Sequence, residues 1–267
     1  MGLLLIATGD TLAHLDGAVA TGADLLAGLS VPADDVVAED VLAEPSWDTS
    51  PGTMLGIARR VAGAHADGVV VTHGLDTLEQ TALLTELIAR PRCPVVFTGA
   101  RLGFDVPGSD GPPNLTAALA AARSARAGVF VCRDGVVTRP WSASFPVVAG
   151  DPESDVALIK VYPGIPPSLL HTVVDAGARG VVIEATGAGN VPVGLFTAIN
   201  ELTGWGIPVV VASRDEVPRE TRGATALVLS VGAISGRMLS PELARVALMY
   251  ALGGGGVDAV RKWFAHL

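Results

Sequence analysis

The sequence predicts an α/β fold with a larger N-terminal parallel-sheet domain and a smaller C-terminal α/β domain. Three observations lead to this fold class. Short apolar runs alternate with stretches of helical periodicity along the chain, a pattern typical of parallel sheets covered by helices. Most apolar runs end in a polar or glycine-bearing turn. A segment rich in proline, glycine and acidic residues separates two series of this alternation.

The first series defines a domain that we assign to residues 1–145. Its predicted order is strand 2–7, helix 48–64, strand 69–71, helix 76–89, strand 94–98, helix 114–123 and strand 129–132. Thr49 or Ser50 is the expected cap of the first helix. A hydroxyl there can accept a free backbone N–H, and Pro51 suits the first helical position.

After a linker at 146–155, the second series defines a domain at 156–267. It predicts a strand and turn at 156–164, a helix at 168–176, a strand and glycine-rich turn at 180–192, a helix at 194–203, a strand at 208–213, a helix at 241–252 and a short final helix after 253–256. The chain shows no internal repeat, heptad pattern or low-complexity tract.

The composition excludes several functions. A formal net charge of −9 and a pI near 4.9 argue against binding to nucleic acid. The N-terminal apolar run is too short for a signal peptide, so we expect a soluble cytoplasmic protein without a membrane partner. Cys93 and Cys132 fit neither a disulfide framework nor a metal site, and we expect two buried thiols. No metal or organic cofactor is expected, because the TGAGN turn also lacks the full dinucleotide-binding pattern.

Four polar clusters follow strands or open helices: TGDT at 8–11, THGLDT at 72–77, GSDGPPNL at 108–115 and TGAGN at 186–190. Ligands of such sheets lie beyond the carboxyl ends of the strands, so these clusters are the candidate site. A threonine hydroxyl there can attack an amide or ester carbon if its proton is removed. A threonine in this position is also a common cap or turn residue.

The motifs together resemble the bacterial L-asparaginase and glutaminase family. IATGDTLA, VVVTHGLDTLEQTA and TGARLGFDVPGSDGPPNL are similar, in the same order, to family signatures that read TGGTIA, THGTDTxEET and TGAxRP…SADGPxNL. In the second half, ARGVV and the later GAGNVP resemble the family's GYxGIV and GxGNxP. The resemblance covers nearly the whole chain and implies the two-domain asparaginase-like fold.

The resemblance also implies a mechanism on a small-molecule amide. Thr11 would attack the side-chain amide carbon, releasing ammonia and forming an acyl-enzyme that water then hydrolyses. Ser46 would bind the α-carboxylate of the substrate and Asp76 its α-amine. Asn190 would reach the site of a neighbouring subunit in a homodimer, with two dimers forming a homotetramer. The candidate catalytic residues are therefore Thr11, Asp76 and Asp10, and the candidate substrate-binding residues are Ser46, Trp47, Gly74, Leu75, Asp76 and Asn190.

The chain departs from the family at its proton relay. Leu75 stands where the family has a second threonine, and Ala143 or a neighbour stands where it has a lysine. No lysine precedes Lys160, so the relay is absent whatever the alignment. The lid tyrosine is also missing, since no tyrosine precedes Tyr162.

Two further changes alter the predicted pocket. Trp47 replaces a glutamine that contacts substrate, and Asp10 replaces a glycine beside Thr11. Leu75 and Trp47 would make the pocket more apolar. Each unmet buried polar group costs about 1–3 kcal/mol, and loss of a general base costs about 10²–10⁴ in rate. We therefore do not expect efficient hydrolysis of asparagine by the ordinary route.

Several hypotheses remain at this point. The first is an asparaginase-type amidohydrolase in which Asp10 or His73 is the new base; alternatively, Asp10 is a turn or capping carboxylate and His73 is structural. Retention of Ser109 and Asp110 beside the candidate residues favours this hypothesis. The second is a catalytically silent homologue that binds an amino-acid-like ligand or a partner protein. The third is lactam or acyl-transfer chemistry in the same pocket.

A tRNA amidotransferase subunit also uses this fold. The acidic composition and the lack of an extra N-terminal domain disfavour that function.

Overall fold

The computed structural model describes residues 2–141, 145–215 and 224–267. The chain divides into two compact units, Met1–Ser142 and Ala143–Leu267. The strands of the first unit are β1 (Leu3–Ala7), β2 (His14–Leu15), β3 (Ala18–Val19), β4 (Val36–Asp40), β5 (Gly68–Thr72), β6 (Pro94–Thr98), β7 (Gly128–Arg133) and β8 (Val136–Thr138). Its α-helices are α1 (Gly22–Ala27), α2 (Pro51–Ala62), α3 (Leu78–Ala89) and α4 (Gly111–Ser124).

The described residues of the first unit form a sheet with the strand order β4-β1-β5-β6-β7-β8, and a separate hairpin pairs β2 with β3. All neighbours in the larger sheet are parallel except β7 and β8. This antiparallel pair makes the predicted parallel sheet a mixed one. Its cause is local: Asp134 and Gly135 both have positive φ, at 51° and 71°, which suits a two-residue hairpin turn.

The central strands are apolar because they are covered on both faces. Every residue of β1, β5 and β6 is buried. On one face, Leu25 of α1 and Leu115 of α4 join the core cluster that includes Leu5, Val70 and Val96. The predicted runs for these three strands are confirmed to within a residue or two.

Four elements of the first unit were not predicted from the sequence: β4, β8, the β2–β3 hairpin and α1. The strand β4 has the sequence VVAED and no buried residue, so it lacks an apolar run. The helix α1 has six residues and is fixed by a capping box between Thr21 and Asp24. Short, half-exposed elements of this kind carry little periodic signal.

The helix α3 begins at Leu78, two residues later than predicted. Asp76 therefore lies in the loop between β5 and α3 and not in the first turn of the helix. By contrast, α2 begins at Pro51 with Ser50 as its cap, one of the two alternatives predicted.

The second unit contains a parallel sheet in the order β12-β11-β10-β9. Its strands are β9 (Val156–Lys160), β10 (Gly180–Glu184), β11 (Val209–Ala212) and β12 (Ile234–Ser235), and its helices are α5 (Ser168–Asp175), α6 (Phe196–Gly204), α7 (Ala224–Ser230), α8 (Pro241–Leu252) and α9 (Val257–Ala265). The core of this unit joins β10 and β11 to α6 through Val181, Val211 and Ile199. The predicted α/β class is confirmed for this unit.

One expectation about the cysteines is corrected. Cys132 is buried in β7, but Cys93 is only partly buried because it lies in the turn before β6. Among the described residues, no helix combines the length and the apolar character needed to cross a bilayer.

The cap of α2 gives a test of this local structure. Ser50 accepts the backbone N–H of Thr53 at 3.1 Å, so Ser50→Ala is expected to lower the free energy of unfolding by about 1 kcal/mol. Ser124→Ala is the matched control, because the Ser124 hydroxyl only bonds back to the Ala120 carbonyl near the end of α4. Urea unfolding of both variants checks this, and equal midpoints would contradict the capping role.

Candidate active site

The candidate site lies where the chain reverses direction across the first sheet. After β1 the chain passes to β4 on one side of it, and then returns to β5 on the other side. The carboxyl ends of β1 and β5 therefore form a topological switch point, the usual ligand position of an open α/β sheet. The loops that follow β1, β4 and β5 carry Asp10 and Thr11, Ser46, and Gly74 to Asp76, respectively.

Asp10 joins two of these loops through its side chain. Its Oδ1 accepts the backbone N–H of Thr11 and, at 2.9 Å, the Thr11 hydroxyl. Its Oδ2 accepts the backbone N–H of Ser46, in the loop after β4. Asp10 is only 7% exposed. The carboxylate is thus held on both oxygens, with the candidate nucleophile in direct contact.

The backbone at Asp10 is strained. Its φ of 68° and ψ of −167° lie in a region that is populated almost solely by glycine. Such a conformation costs about 1–3 kcal/mol and persists only when surrounding contacts enforce it. The hydrogen bonds from Thr11 and Ser46 are those contacts.

Ser46 links the loop after β4 to the loop after β5. The side chain is buried, and its hydroxyl donates to Oδ2 of Asp76 at 2.9 Å. The Ser46 carbonyl accepts the hydroxyl of Thr77 at 2.9 Å. Asp76 itself is exposed, so its carboxylate is open to a ligand. The structure thus brings Ser46 and Asp76 together with Asp10 and Thr11.

Gly74 leaves room for this arrangement. A Cβ added at Gly74 would overlap both Oδ2 of Asp10 and Oγ of Ser46. The next residue, Leu75, is half-buried, and its Cδ2 lies beside Gly99, 3.0 Å from the position that a Cβ there would take. At the position of the family's relay threonine, the chain therefore has an apolar side chain packed beside the segment that follows β6.

Burial and hydrogen bonding shift the pKa of the Asp10 carboxyl in opposite directions. Burial raises the pKa of its carboxyl, but the hydrogen bonds from Ser46 and Thr11 outweigh burial, and the net result is a pKa below the ordinary value. The carboxylate is consequently ionised at neutral pH. It is well placed to accept a proton from Thr11, but a lowered pKa makes it a weak base.

His73 is buried and both ring nitrogens have partners. Nδ1 lies 2.8 Å from the Gly74 carbonyl and Nε2 lies 3.0 Å from the Thr81 hydroxyl. A carbonyl can only accept, so Nδ1 carries the proton. Burial lowers the pKa of His73, although the Gly74 carbonyl and the charge of Asp10 partly oppose it. This geometry favours the structural role of His73 over its recruitment as a base.

The GSDGPPNL motif shapes the segment after β6. Oδ1 of Asp110 accepts the backbone N–H groups of Arg101 and Leu102 at 2.9 and 3.2 Å, and the Ser109 hydroxyl donates to the Leu102 carbonyl. The Asn114 amide donates to the Gly99 carbonyl at 2.9 Å. Retention of Ser109 and Asp110 is thus explained by loop structure, without a ligand.

The structure does not bring every predicted residue into this cluster. Trp47 follows Ser46, but its side chain is 70% exposed in the chain, so its role as an apolar wall stays a prediction. Asn190 belongs to the second unit, where its backbone pairs with Thr186 in the turn after β10. Ala143, which with its neighbours is the candidate position for the family's lysine, lies outside the described residues. Lys160 pairs with Glu184 at 3.1 Å in the second unit.

Sequence reasoning missed the contact between Asp10 and Ser46. The two residues are 36 positions apart, and no periodic pattern reports which backbone N–H a side chain will reach. It also missed the function of Thr77, whose hydroxyl positions the Ser46 loop. Within the described ranges, no group of three or more His, Cys, Asp or Glu side chains could hold a metal ion.

The structure defines a two-unit α/β protein, in which a threonine hydroxyl lies at the switch point of the mixed first sheet and a unit with a parallel sheet follows in the chain. Residues 2–144 match the model described as "Asparaginase, N-terminal", and residues 155–264 match the "Glutaminase/Asparaginase C-terminal domain". The chain therefore belongs to the asparaginase family, which confirms the resemblance seen in the sequence motifs.

Known relatives and structures support this assignment. The chain is 30% identical to a glutamyl-tRNA(Gln) amidotransferase subunit of Methanobrevibacter smithii over 70% of its length, and it spans 55% of that relative. It is 31% identical to the corresponding protein of Methanopyrus kandleri, covering 93% of this chain and 69% of that one. The thermostable L-asparaginase from Thermococcus kodakarensis superposes with a TM-score of 0.86 at 26% identity, covering 99% of this chain and 97% of that one.

The buried His73 predicts a pH dependence of stability. Its pKa is lowered in the folded chain, so between that value and about 6.5 the unfolded chain binds more protons. Stability is expected to fall as pH decreases through about 6.5, by at most about 1.4 kcal/mol per pH unit. His73→Asn removes this titration while keeping a donor near the Gly74 carbonyl, so its stability should depend less on pH.

The matched control is His65→Asn. The Nδ1 of His65 also lies near a backbone carbonyl, that of Gly63 at 3.0 Å, but the side chain is exposed. Free energies of unfolding from pH 5 to 8 compare the three proteins. If the free energy of unfolding depended on pH identically in the native protein and in His73→Asn, then His73 would not change its protonation on folding.

Proposed function

We propose that the chain is an amidohydrolase that cleaves a side-chain or related small-molecule amide with Thr11 as its nucleophile. The observation that carries this proposal is the 2.9 Å contact between the Thr11 hydroxyl and the Asp10 carboxylate at the switch point. A nucleophile needs an acceptor for its proton within hydrogen-bond reach, and this pair meets that condition.

In the proposed reaction, Oγ1 of Thr11 attacks the amide carbon as its proton passes to Asp10. The tetrahedral intermediate then collapses, the C–N bond breaks, and the protonated Asp10 returns the proton to the departing nitrogen as ammonia leaves. Water attacks the resulting ester, giving a proton to Asp10. Breaking of the ester bond releases the acid, and that proton restores the Thr11 hydroxyl.

The substrate is held mainly by charge. Asp76 presents an exposed carboxylate that is fixed by the Ser46 hydroxyl at 2.9 Å, and we assign it to an amino group of the substrate. Leu75 and Trp47 would supply apolar contact. Asn190 would act from a neighbouring subunit, in a homodimer or homotetramer whose sites lie near the subunit interface.

The runner-up proposal is a catalytically silent homologue that binds an amino-acid-like ligand. The lowered pKa of Asp10 favours it, because a weaker base removes the Thr11 proton less readily. The amidotransferase relatives bear the name of a tRNA-dependent function, but the net charge of −9 gives no electrostatic support for a nucleic-acid partner.

The first test removes the nucleophile. Thr11→Val keeps the size of the side chain and deletes its hydroxyl, so ammonia release from a panel of primary amides should fall to background. Thr172→Val, a hydroxyl deletion on α5 in the second unit, serves as control and should retain the native rate. Undiminished release from Thr11→Val would eliminate the proposed nucleophile, and no release by the native protein would favour the silent homologue.

The second test removes the charge at Asp76. A hydrogen bond to a charged group contributes about 1.5–3 kcal/mol, so Asp76→Asn is expected to raise KM for amine-bearing amides by about 10–100-fold. KM for an uncharged amide such as propionamide should change little. Asp105→Asn, at another exposed carboxylate, is the control. An equal rise for both classes of amide would contradict the assignment of Asp76 to an amino group.

A further inference from the structure

In the candidate site, the carboxylate of Asp10 occupies two backbone N–H donors that could otherwise bind an external anion. Oδ1 of Asp10 takes the backbone N–H of Thr11, and Oδ2 takes the backbone N–H of Ser46. We call these two N–H groups the carboxylate cradle. Paired donors that converge on the two oxygens of one carboxylate are what a protein uses to bind an external anion.

The Asp10 side chain is not the only support of the two cradle donors. One donor is the backbone of Thr11, at the start of a 3₁₀ helix, and the other is the backbone of Ser46, whose loop is also tied by the Thr77 hydroxyl. The φ and ψ at position 10 are ones that glycine adopts freely. A glycine there would adopt this backbone without strain and leave the cradle empty, and the Thr77 hydroxyl would still hold the Ser46 loop.

The charges around the cradle disfavour a second carboxylate. Asp10 fills the two N–H donors, and the Ser46 hydroxyl is directed to Asp76. Hydrogen bonds from Thr11 and Ser46 hold the charge of Asp10, and no arginine or lysine in the described part of the chain contributes to its pKa shift. A carboxylate on the substrate would therefore meet two anionic side chains and no free donor of the cradle.

We infer that Asp10 is a specificity-determining residue that excludes carboxylate-bearing substrates. The substrate class is then a small primary amide that carries an amino group, for Asp76, but no carboxylate at the cradle. This inference rests on the proposed function, because only a hydrolase has an amide substrate. It concerns Oδ2 of Asp10, whereas the proposed proton transfer uses Oδ1.

The test compares two ligands that differ only in a carboxylate. Asparagine and 3-aminopropanamide share the same amide and amino group, and only asparagine has the additional carboxylate. Binding is measured by calorimetry in the Thr11→Val background, so that no turnover interferes. With Asp10 present, 3-aminopropanamide should bind at least about 10-fold more tightly than asparagine, the size of one charge-assisted contact or more.

Two variants of position 10 then separate occupancy of the cradle from charge. Asp10→Gly empties the cradle and should strengthen asparagine binding by at least about 10-fold. Asp10→Asn removes the charge and still occupies the space of the cradle, although its amide oxygen accepts only one of the two N–H groups, so it should gain little affinity for asparagine. The parent is the Thr11→Val protein that retains Asp10. Equal asparagine affinity in this parent and in its Asp10→Gly variant would overturn the inference. Tighter binding of asparagine than of 3-aminopropanamide by the parent, or no binding of either ligand to the parent or Asp10→Gly, would also overturn it.

If Asp10→Gly does not fold, the inference is tested by the affinities of asparagine and 3-aminopropanamide for the parent alone. The binding results are also independent of catalysis. Asparagine binding gained by Asp10→Gly, together with no ammonia release by the native protein from any amide, would uphold the cradle and reject the proposed hydrolysis. Thr11-dependent ammonia release by the native protein, together with unchanged asparagine binding in Asp10→Gly, would uphold the proposed hydrolysis and reject the role of the cradle.

Discussion

The site depends on one buried carboxylate. Asp10 ties the loop after β1 to the loop after β4, and Gly74 of the loop after β5 packs directly against it. A charge with 7% exposure is tolerated only if its oxygens are hydrogen-bonded, and here two N–H groups and a hydroxyl meet that need. The glycine-like backbone of Asp10 and the absence of a side chain at Gly74 are both consequences of seating that carboxylate.

The same hydrogen bonds set the limits of the chemistry. They place Asp10 within 2.9 Å of the Thr11 hydroxyl, but they also lower the pKa of its carboxyl. The hydrogen bonds that position Asp10 therefore also make it a weaker base, and proton transfer is most efficient when the pKa of the base lies near the working pH. Leu75 stands in place of a relay hydroxyl, and among the described residues the hydrogen-bond partner of the Thr11 hydroxyl is Asp10. A slow hydrolase is the expected result.

Much of the fold follows from the sequence because its central strands are covered on both faces. β1, β5 and β6 are continuous apolar runs and were predicted, whereas β4 is a half-exposed edge strand with no such run. At the site, sequence motifs selected Thr11, Ser46 and Asp76, which the structure brings together. The contact that organises them could not be predicted, because it joins a side chain to a backbone N–H 36 residues away.

The position of Asp10 also explains why the departures from the family belong together. An aspartate beside the nucleophile supplies a proton acceptor where the relay is missing, and the same side chain occupies donors that could otherwise hold a substrate carboxylate. The aspartate that supplies the proton acceptor thus also alters which substrates the site can bind. An enzyme that depends on Asp10 for proton transfer is therefore expected to act on an amide without that carboxylate, and the exposed charge of Asp76 leaves an amino group as the feature that such a substrate retains.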